Sequence, residues 1–249
     1  VARGGRVRLR AEPLPQGGAP DTALVIDVLR ATTTAPTLLD LGARELLLTA
    51  DEAGARALRG PGTLLAGERG GLTIPGFDLG NSPLEAQATP MRGKRVVMTT
   101  SNGTGAAHLT ARTARQVLLG SIVNAPAAAR LALALAEEEI TLVCAGTGGR
   151  VGFDDLYAAG VIVDDLLRLA PDTFDLDDGA WIALTLCRAE PDAHAALAGS
   201  RHGQALARLG FGTDIALAAR HGQSEAVPQL VRGSGEPVGT LRFVAAPPA

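Results

Sequence analysis

Six short apolar runs, each set off from the next by a helix-like stretch or a polar loop, constrain this chain more than any other feature. They are ALVI at 23–26, ELLL at 45–48, LLA at 64–66, RVVM at 95–98, QVLL at 116–119 and ITLV at 140–143. Strands with so little polar interruption are buried on both faces, which is the habit of parallel sheets covered by helices. Helical patterns fall between them at 31–41, with Pro36 in the first turns, after Asp51 as a helix cap, at 105–114 and at 125–138. The alternation predicts an α/β protein, a three-layer α/β/α fold with a mainly parallel or mixed sheet.

After Gly152 the pattern turns helical, at 154–170, 179–188 and 191–197, with a further pair in 201–220 broken at Gly210. Two short strands, 229–232 and 238–244, joined by a Gly-Ser-Gly-Glu-Pro turn, finish the chain. No internal repeat or low-complexity linker interrupts it. Residues 1–249 therefore read as a single compact domain with a helical C-terminal subregion.

Hydrophobic residues make up 46% of the chain and aromatics only 3%, so the core must be built from Leu, Val, Ile and Ala. A net charge of −3 and a pI near 5.8 present no basic face for a nucleic acid. No apolar stretch is long enough to span a membrane, and the arginines of residues 1–10 are not followed by the apolar segment of a secretory leader. Cys144 and Cys187 are too far apart in sequence to form a metal-ligand pair. These features lead us to expect a cytoplasmic protein without nucleic-acid or membrane partners, and a homodimer.

Between Gly67 and Pro83 the chain reads GERGGLTIPGFDLGNSP, a polar, glycine-rich loop placed directly after a buried strand. Long loops at strand ends of α/β proteins carry ligand sites. Three further strand ends have the same character. Asp27-Val28-Leu29-Arg30-Ala31-Thr32-Thr33-Thr34 offers a carboxylate for Mg²⁺, with an arginine and hydroxyls suited to phosphate. Thr99-Thr100-Ser101-Asn102-Gly103-Thr104 repeats the theme at another strand-to-helix junction. Cys144-Ala145-Gly146-Thr147-Gly148-Gly149-Arg150 leads to Asp154 and Asp155, which suit metal binding, water positioning or helix capping.

The third segment also fits the cysteine-phosphatase pattern of Cys, five residues and Arg, a spacing that an arginine-rich chain meets readily by chance. The competing reading of Cys144 is a small apolar residue ending a buried strand. No nucleotide-binding phosphate loop, dinucleotide loop or esterase elbow is present, and Leu29 stands where a paired-aspartate phosphatase needs a second Asp. His108, His194, His202 and His221 lack zinc spacing and read as surface or packing residues.

Taken in order, IDVLRATTT, GERGGLTIPGFDLGNSP, TTSNGTGA and CAGTGG-FDDLYAAG closely resemble the 2-phosphosulfolactate phosphatases, from about Leu24 to Val163, with a weaker match in LGFGTDIALAARHGQSEAVP. The resemblance implies a three-layer α/β/α fold and Mg²⁺-dependent hydrolysis of a phosphate ester on a small sulfonated hydroxy acid, giving sulfolactate and phosphate. Asp154, Ser101 and His221 depart from the family's pattern, where Glu, Thr and an acidic residue are expected.

On this reading Asp27, Glu68 and one of Asp154 or Asp155 are the candidate Mg²⁺ ligands, and Asp27, Glu68 and Asp155 the catalytic candidates. Arg30, Thr32, Thr33, Asn102, Gly103 and Thr104 would hold the phosphate. Arg69, Asn81 and Arg150 would face the substrate's carboxylate and sulfonate, and Asp78 would be a base, a ligand or the clasp of its loop. Two alternatives stay open at this point. One is a phosphatase of another small phosphorylated acid. The other is a non-catalytic protein that binds an anionic metabolite, against which the acidic cluster argues unless a cation accompanies the ligand.

Overall fold

A computed structural model describes residues 6–233 and 235–247; the remaining residues of the single-domain expectation lie outside the described set. The first half of the chain carries β1 (Val7–Glu12), β2 (Thr22–Ile26), α1 (Ala31–Asp40), β3 (Glu45–Thr49), α2 (Glu52–Ala57), β4 (Thr63–Arg69), β5 (Leu72–Thr73) and α3 (Pro83–Gln87). Next come β6 (Arg95–Thr99), α4 (Gly103–Thr110), β7 (Gln116–Leu119), α5 (Ala125–Leu135), β8 (Glu139–Cys144) and α6 (Phe153–Leu169). The last part holds β9 (Phe174–Leu176), α7 (Asp178–Ala189), α8 (Ala193–Gly199), α9 (Arg201–Arg208), α10 (Gly212–Ala218), β10 (Pro228–Val231) and β11 (Thr240–Ala245). All six runs read as strands are strands.

These strands form one mixed sheet in the order β5-β4-β6-β3-β11-β10-β7-β2-β8-β1-β9. Side chains alternate between its faces, as the two-residue repeat of a strand requires. Leu24 and Ile26 of β2 meet α5, α6 and α7 on one side, while Ala23 and Val25 join Leu38 of α1 and Ala106 and Ala107 of α4 on the other. The fold is thus the three-layer α/β/α arrangement. No helix among the described residues is long and apolar enough to cross a membrane.

Two placements depart from the expected pattern. The terminal hairpin β10–β11 is central, pairing antiparallel with β7 on one side and β3 on the other. At the other end of the chain, β1 fills a slot between β8 and β9. Its VRLRAE sequence buries Leu9 and Ala11, and Glu139 takes both Arg8 and Arg10 at 3.1 and 3.0 Å. Charge at every second residue hid this strand from a search for apolar runs.

The sheet must curl. Strands β2 and β6 lie five places apart in the order, which is about 24 Å in a flat sheet. The four residues from Thr100 to Gly103 span at most about 14 Å, yet Gly103 touches Asp27 at the end of β2. The sheet is thinnest between β10 and β7, where one residue pair, Gln229 opposite Leu118, is in register. Curling there around α1 brings the ends of β2, β4, β6 and β8 together.

Candidate active site

Asp27 is the hub. It is 4% exposed at the tip of β2 and accepts a hydrogen bond from the Gly103 amide, which opens α4. Burial, reinforced by the charges of Glu68 and Asp154, pushes its carboxyl up to about 6, while His202 and the Gly103 amide work in the opposite direction. Glu68, at the end of β4, accepts from the Ser101 amide at 2.7 Å and the Gly71 amide at 2.8 Å. Asp154 is 1% exposed in the first turn of α6 and meets His202 Nδ1 at 3.2 Å. Four loops separated by up to 127 residues in the chain therefore share one acidic pocket.

Asp155 is differently placed. One of its oxygens accepts from the Val28 amide and the other from the Gly146 amide, each at 2.9 Å, so it ties the end of β2 to the end of β8. Burial and the neighbouring Asp154 and Asp27 carboxylates raise its pKa well above the usual range, against the pull of those two amides. With both oxygens engaged by backbone amides, Asp155 acts as a strut between the two strand ends.

The hydroxyls that looked ready for phosphate are turned to the protein's own backbone. Thr32 Oγ1 accepts from the Asp27 amide at 3.0 Å, Thr33 Oγ1 donates to Val28 O at 2.8 Å, and Thr34 Oγ1 donates to Asn81 O at 3.0 Å. Thr104 Oγ1 donates to Thr100 O at 3.0 Å. The expectation that Thr33 and Thr104 grip phosphate through their hydroxyls is corrected accordingly, since their protons go to Val28 O and Thr100 O, while Thr32 supports Asp27 as an acceptor. Arg30 is corrected in the same way. Its side chain is 2% exposed, paired with Asp214 at 2.7 Å, and does not stand free as a phosphate clamp.

Other candidates keep accessible chemistry. Asn81 is 3% exposed and its Oδ1 has no hydrogen-bond partner, a rarity for a buried polar atom. Asn102 Oδ1 accepts from the Gly148 amide at 3.1 Å, joining the β6–α4 turn to the β8–α6 turn. Arg69 is 39% exposed, bonded to Glu68 O and Thr99 Oγ1 and paired with the half-exposed Glu52 at 3.3 Å. Arg150 lies exposed on the turn made by Thr147, Gly148, Gly149 and Arg150, where φ values of 58° and 72° at the two glycines match a type I′ turn. Asp78 accepts from the Leu65 amide at 2.8 Å and pairs with Arg59 at 3.3 Å, which makes it the clasp of its loop.

His202, expected from sequence to be a surface or packing residue, is part of the pocket. Burial alone would lower its pKa, but the hydrogen bond to Asp154 and the charges of Asp154, Asp27 and Glu68 raise it. No local signal on α9 marks it, because a lone histidine acquires meaning only from what the fold sets beside it. His221, by contrast, pairs with Asp165 at 2.7 Å, about 16 Å along α6 from Asp154.

Cys144 fails the requirement of a thiolate nucleophile. It is fully buried at the end of β8, and burial with the nearby Asp155, Asp154 and Glu12 charges pushes its thiol well above the ordinary value. Cys144→Ser is expected to keep turnover within about threefold of the unmodified protein. Abolished activity in a folded Cys144→Ser protein would reinstate the thiolate.

The cluster's hard oxygen donors and mutual repulsion suit a divalent cation. Among the described residues no group of three or more His, Cys, Asp or Glu side chains is arranged to hold a metal ion, so no all-protein cage is present. Mg²⁺ characteristically takes one or two carboxylates together with water and substrate phosphate, so the donor set fits it without a cage.

The fold and pocket define an α/β/α protein whose acidic ligand site is assembled from strand-end loops. The chain belongs to the 2-phosphosulpholactate phosphatase family, whose model matches residues 9–233. A probable 2-phosphosulfolactate phosphatase of Deinococcus radiodurans is 59% identical over 241 residues, covering 96% of this chain and all of that protein. Its counterpart in Thermus thermophilus is 47% identical over 232 residues, covering 92% and 97%. One from Carboxydothermus hydrogenoformans is 39% identical over 214 residues, covering 85% and 87%.

Proposed function

We propose that this protein hydrolyses 2-phosphosulfolactate to sulfolactate and phosphate, with Mg²⁺ as cofactor, acting as a single-domain cytoplasmic homodimer. The observation that carries the reading is that four family-like motifs, distant in sequence, converge on Asp27. Asp27 with Glu68 or Asp154 would hold the Mg²⁺ through carboxylate oxygens, directly or through water. When bound, the ion supplies positive charge to the phosphoryl oxygens as the ester bond breaks.

The chain's own groups would do the rest. The Gly103 amide and the Asn102–Gly148 link shape the phosphate end of the pocket. Arg69 and Arg150 would receive the carboxylate and sulfonate, for which planar guanidinium groups are suited. Asn81 would turn its Nδ2 amide to the same carboxylate and sulfonate. His202 lies beside Asp154, and Asp155 keeps the two strand ends at a fixed separation.

The test is phosphate release from 2-phosphosulfolactate with Mg²⁺ and again with excess EDTA. Turnover that depends on Mg²⁺ is the expected result. Full turnover in EDTA removes the metal from the proposal. Tight substrate binding without phosphate release in the presence of Mg²⁺ points to a non-catalytic anion-binding protein. Proton competition adds a second check, since a carboxyl near pKa 6 must be deprotonated to hold a cation. Mg²⁺ affinity measured by calorimetry is expected to be flat above about pH 7 and to weaken progressively below about pH 6.

A further inference from the structure

Asp214 lies buried in the first turn of α10, with its side chain 2% exposed. One of its oxygens takes Arg30 Nη1 at 2.7 Å, and the other takes the Ser82 hydroxyl at 2.7 Å. Arg30 in turn donates through Nη2 to Gly71 O at 2.8 Å, and its guanidinium lies 4.1 Å from the centre of the Phe211 ring. A single ion pair thus joins three segments remote in sequence, namely the start of α1, the loop at 67–83 and α10.

Two short routes lead from this pair to the pocket. Gly71 accepts from Arg30 through its carbonyl and donates from its amide to Glu68 Oε2 at 2.8 Å. Ser82 is adjacent to Asn81, whose Oδ1 is buried without a partner. Ser82 also accepts from the Glu85 amide at 3.2 Å, so its hydroxyl serves α10 and the start of α3 at once. A buried ion pair is a poor source of net stability compared with apolar packing, yet its fixed directions determine geometry.

We infer that Asp214 is a positioning residue, which sets Glu68 through Arg30 and Gly71, and Asn81 through Ser82. The inference rests on the reading of residues 67–83 as the substrate loop of a phosphatase. Asp214 touches no reacting group, so its loss acts only through how the loop presents Glu68 and Asn81.

The test uses the full chain and Asp214→Asn, which keeps the shape and removes the charge. Steady-state kinetics on 2-phosphosulfolactate with Mg²⁺ are expected to show kcat/KM lowered by at least about tenfold, with part of the loss in KM. Amide hydrogen exchange is expected to quicken across residues 67–83 while the amides of β2 and β8 keep their protection. Ser82→Ala, a milder change, is expected to raise KM about threefold. Combined with Asp214→Asn it should add little, because the two act along one path.

Lower kcat with unchanged KM, together with faster exchange throughout the sheet, would mean that Asp214 is only a structural prop, and the inference fails. Unchanged KM and unchanged loop exchange also overturn it. If Asp214→Asn does not fold, Ser82→Ala with normal KM and normal loop exchange overturns the inference. Absence of turnover in the unmodified protein would defeat the functional reading on its own account. The exchange experiment still decides the positioning role, since it needs no substrate.

Discussion

Asp27→Asn is expected to be more stable than the unmodified protein at pH 8 and to have lost nearly all turnover. Holding Asp27 ionised is unfavourable because burial and the neighbouring acids raise its carboxyl from 3.8 to about 6. The sign follows from proton linkage. Between about pH 4 and pH 6 the folded state binds this proton more tightly than the unfolded chain, so stability falls as pH rises through that window and then levels off. Asparagine has the same shape, can accept the Gly103 amide and carries no charge. The shift corresponds to about 1–3 kcal/mol at pH 8, or several degrees in melting temperature for a chain of this size.

Turnover should fall by at least about 1,000-fold, the equivalent of about 4 kcal/mol of lost charge stabilisation in the transition state. Thermal melts of both proteins at pH 4.5 and pH 8, without added metal, check the stability half. A melting difference that does not grow with pH would show that Asp27 is not held against repulsion. Near-native phosphate release by the variant would remove it from the site.

Gly103→Ala is expected to be strongly damaging. A Cβ at this position would lie 2.5 Å from Asp27 Oδ2, 2.9 Å from Ala31 Cβ and 3.0 Å from Asp27 Cβ. Asp27 is enclosed and cannot swing aside, so α4 must withdraw or the carboxylate must move. Displacing a reacting group by about 1 Å lowers rate by about 100-fold, and overpacking at a buried junction destabilises by about 1–3 kcal/mol. Gly105→Ala is the matched control two residues along the same helix, where a Cβ meets nothing within 4 Å. There the substitution should be neutral or stabilising by up to about 1 kcal/mol, with full turnover. Equal activity in the two variants would mean that the Gly103–Asp27 contact does not define the pocket.

Much of the pocket was legible in the chain. Asp27, Glu68, Asn102, Gly103 and Asp154 stand at the ends of strands that announce themselves by short apolar runs. Strand ends in a sheet of this kind are where loops carry chemistry. What the sequence did not disclose was how the polar atoms are partnered. Thr32, Thr33 and Thr104 offered hydroxyls at helix starts, and only the fold shows them bonded to Asp27 N, Val28 O and Thr100 O. A hydroxyl's ability to serve its own backbone or a ligand equally well is why residue type cannot separate the two.

By itself, the sequence determined the three-layer α/β/α class, the loop at 67–83 and the motifs that mark the family, because these depend on local periodicity and on residue identity. Tertiary structure alone decided the strand order, with β10 and β11 in the middle of the sheet and β1 between β8 and β9. It also decided that His202 faces Asp154 and that Asp214 holds Arg30. Those relations join residues 48 and 184 positions apart, and they exist only because the curled sheet carries its strand ends to one place.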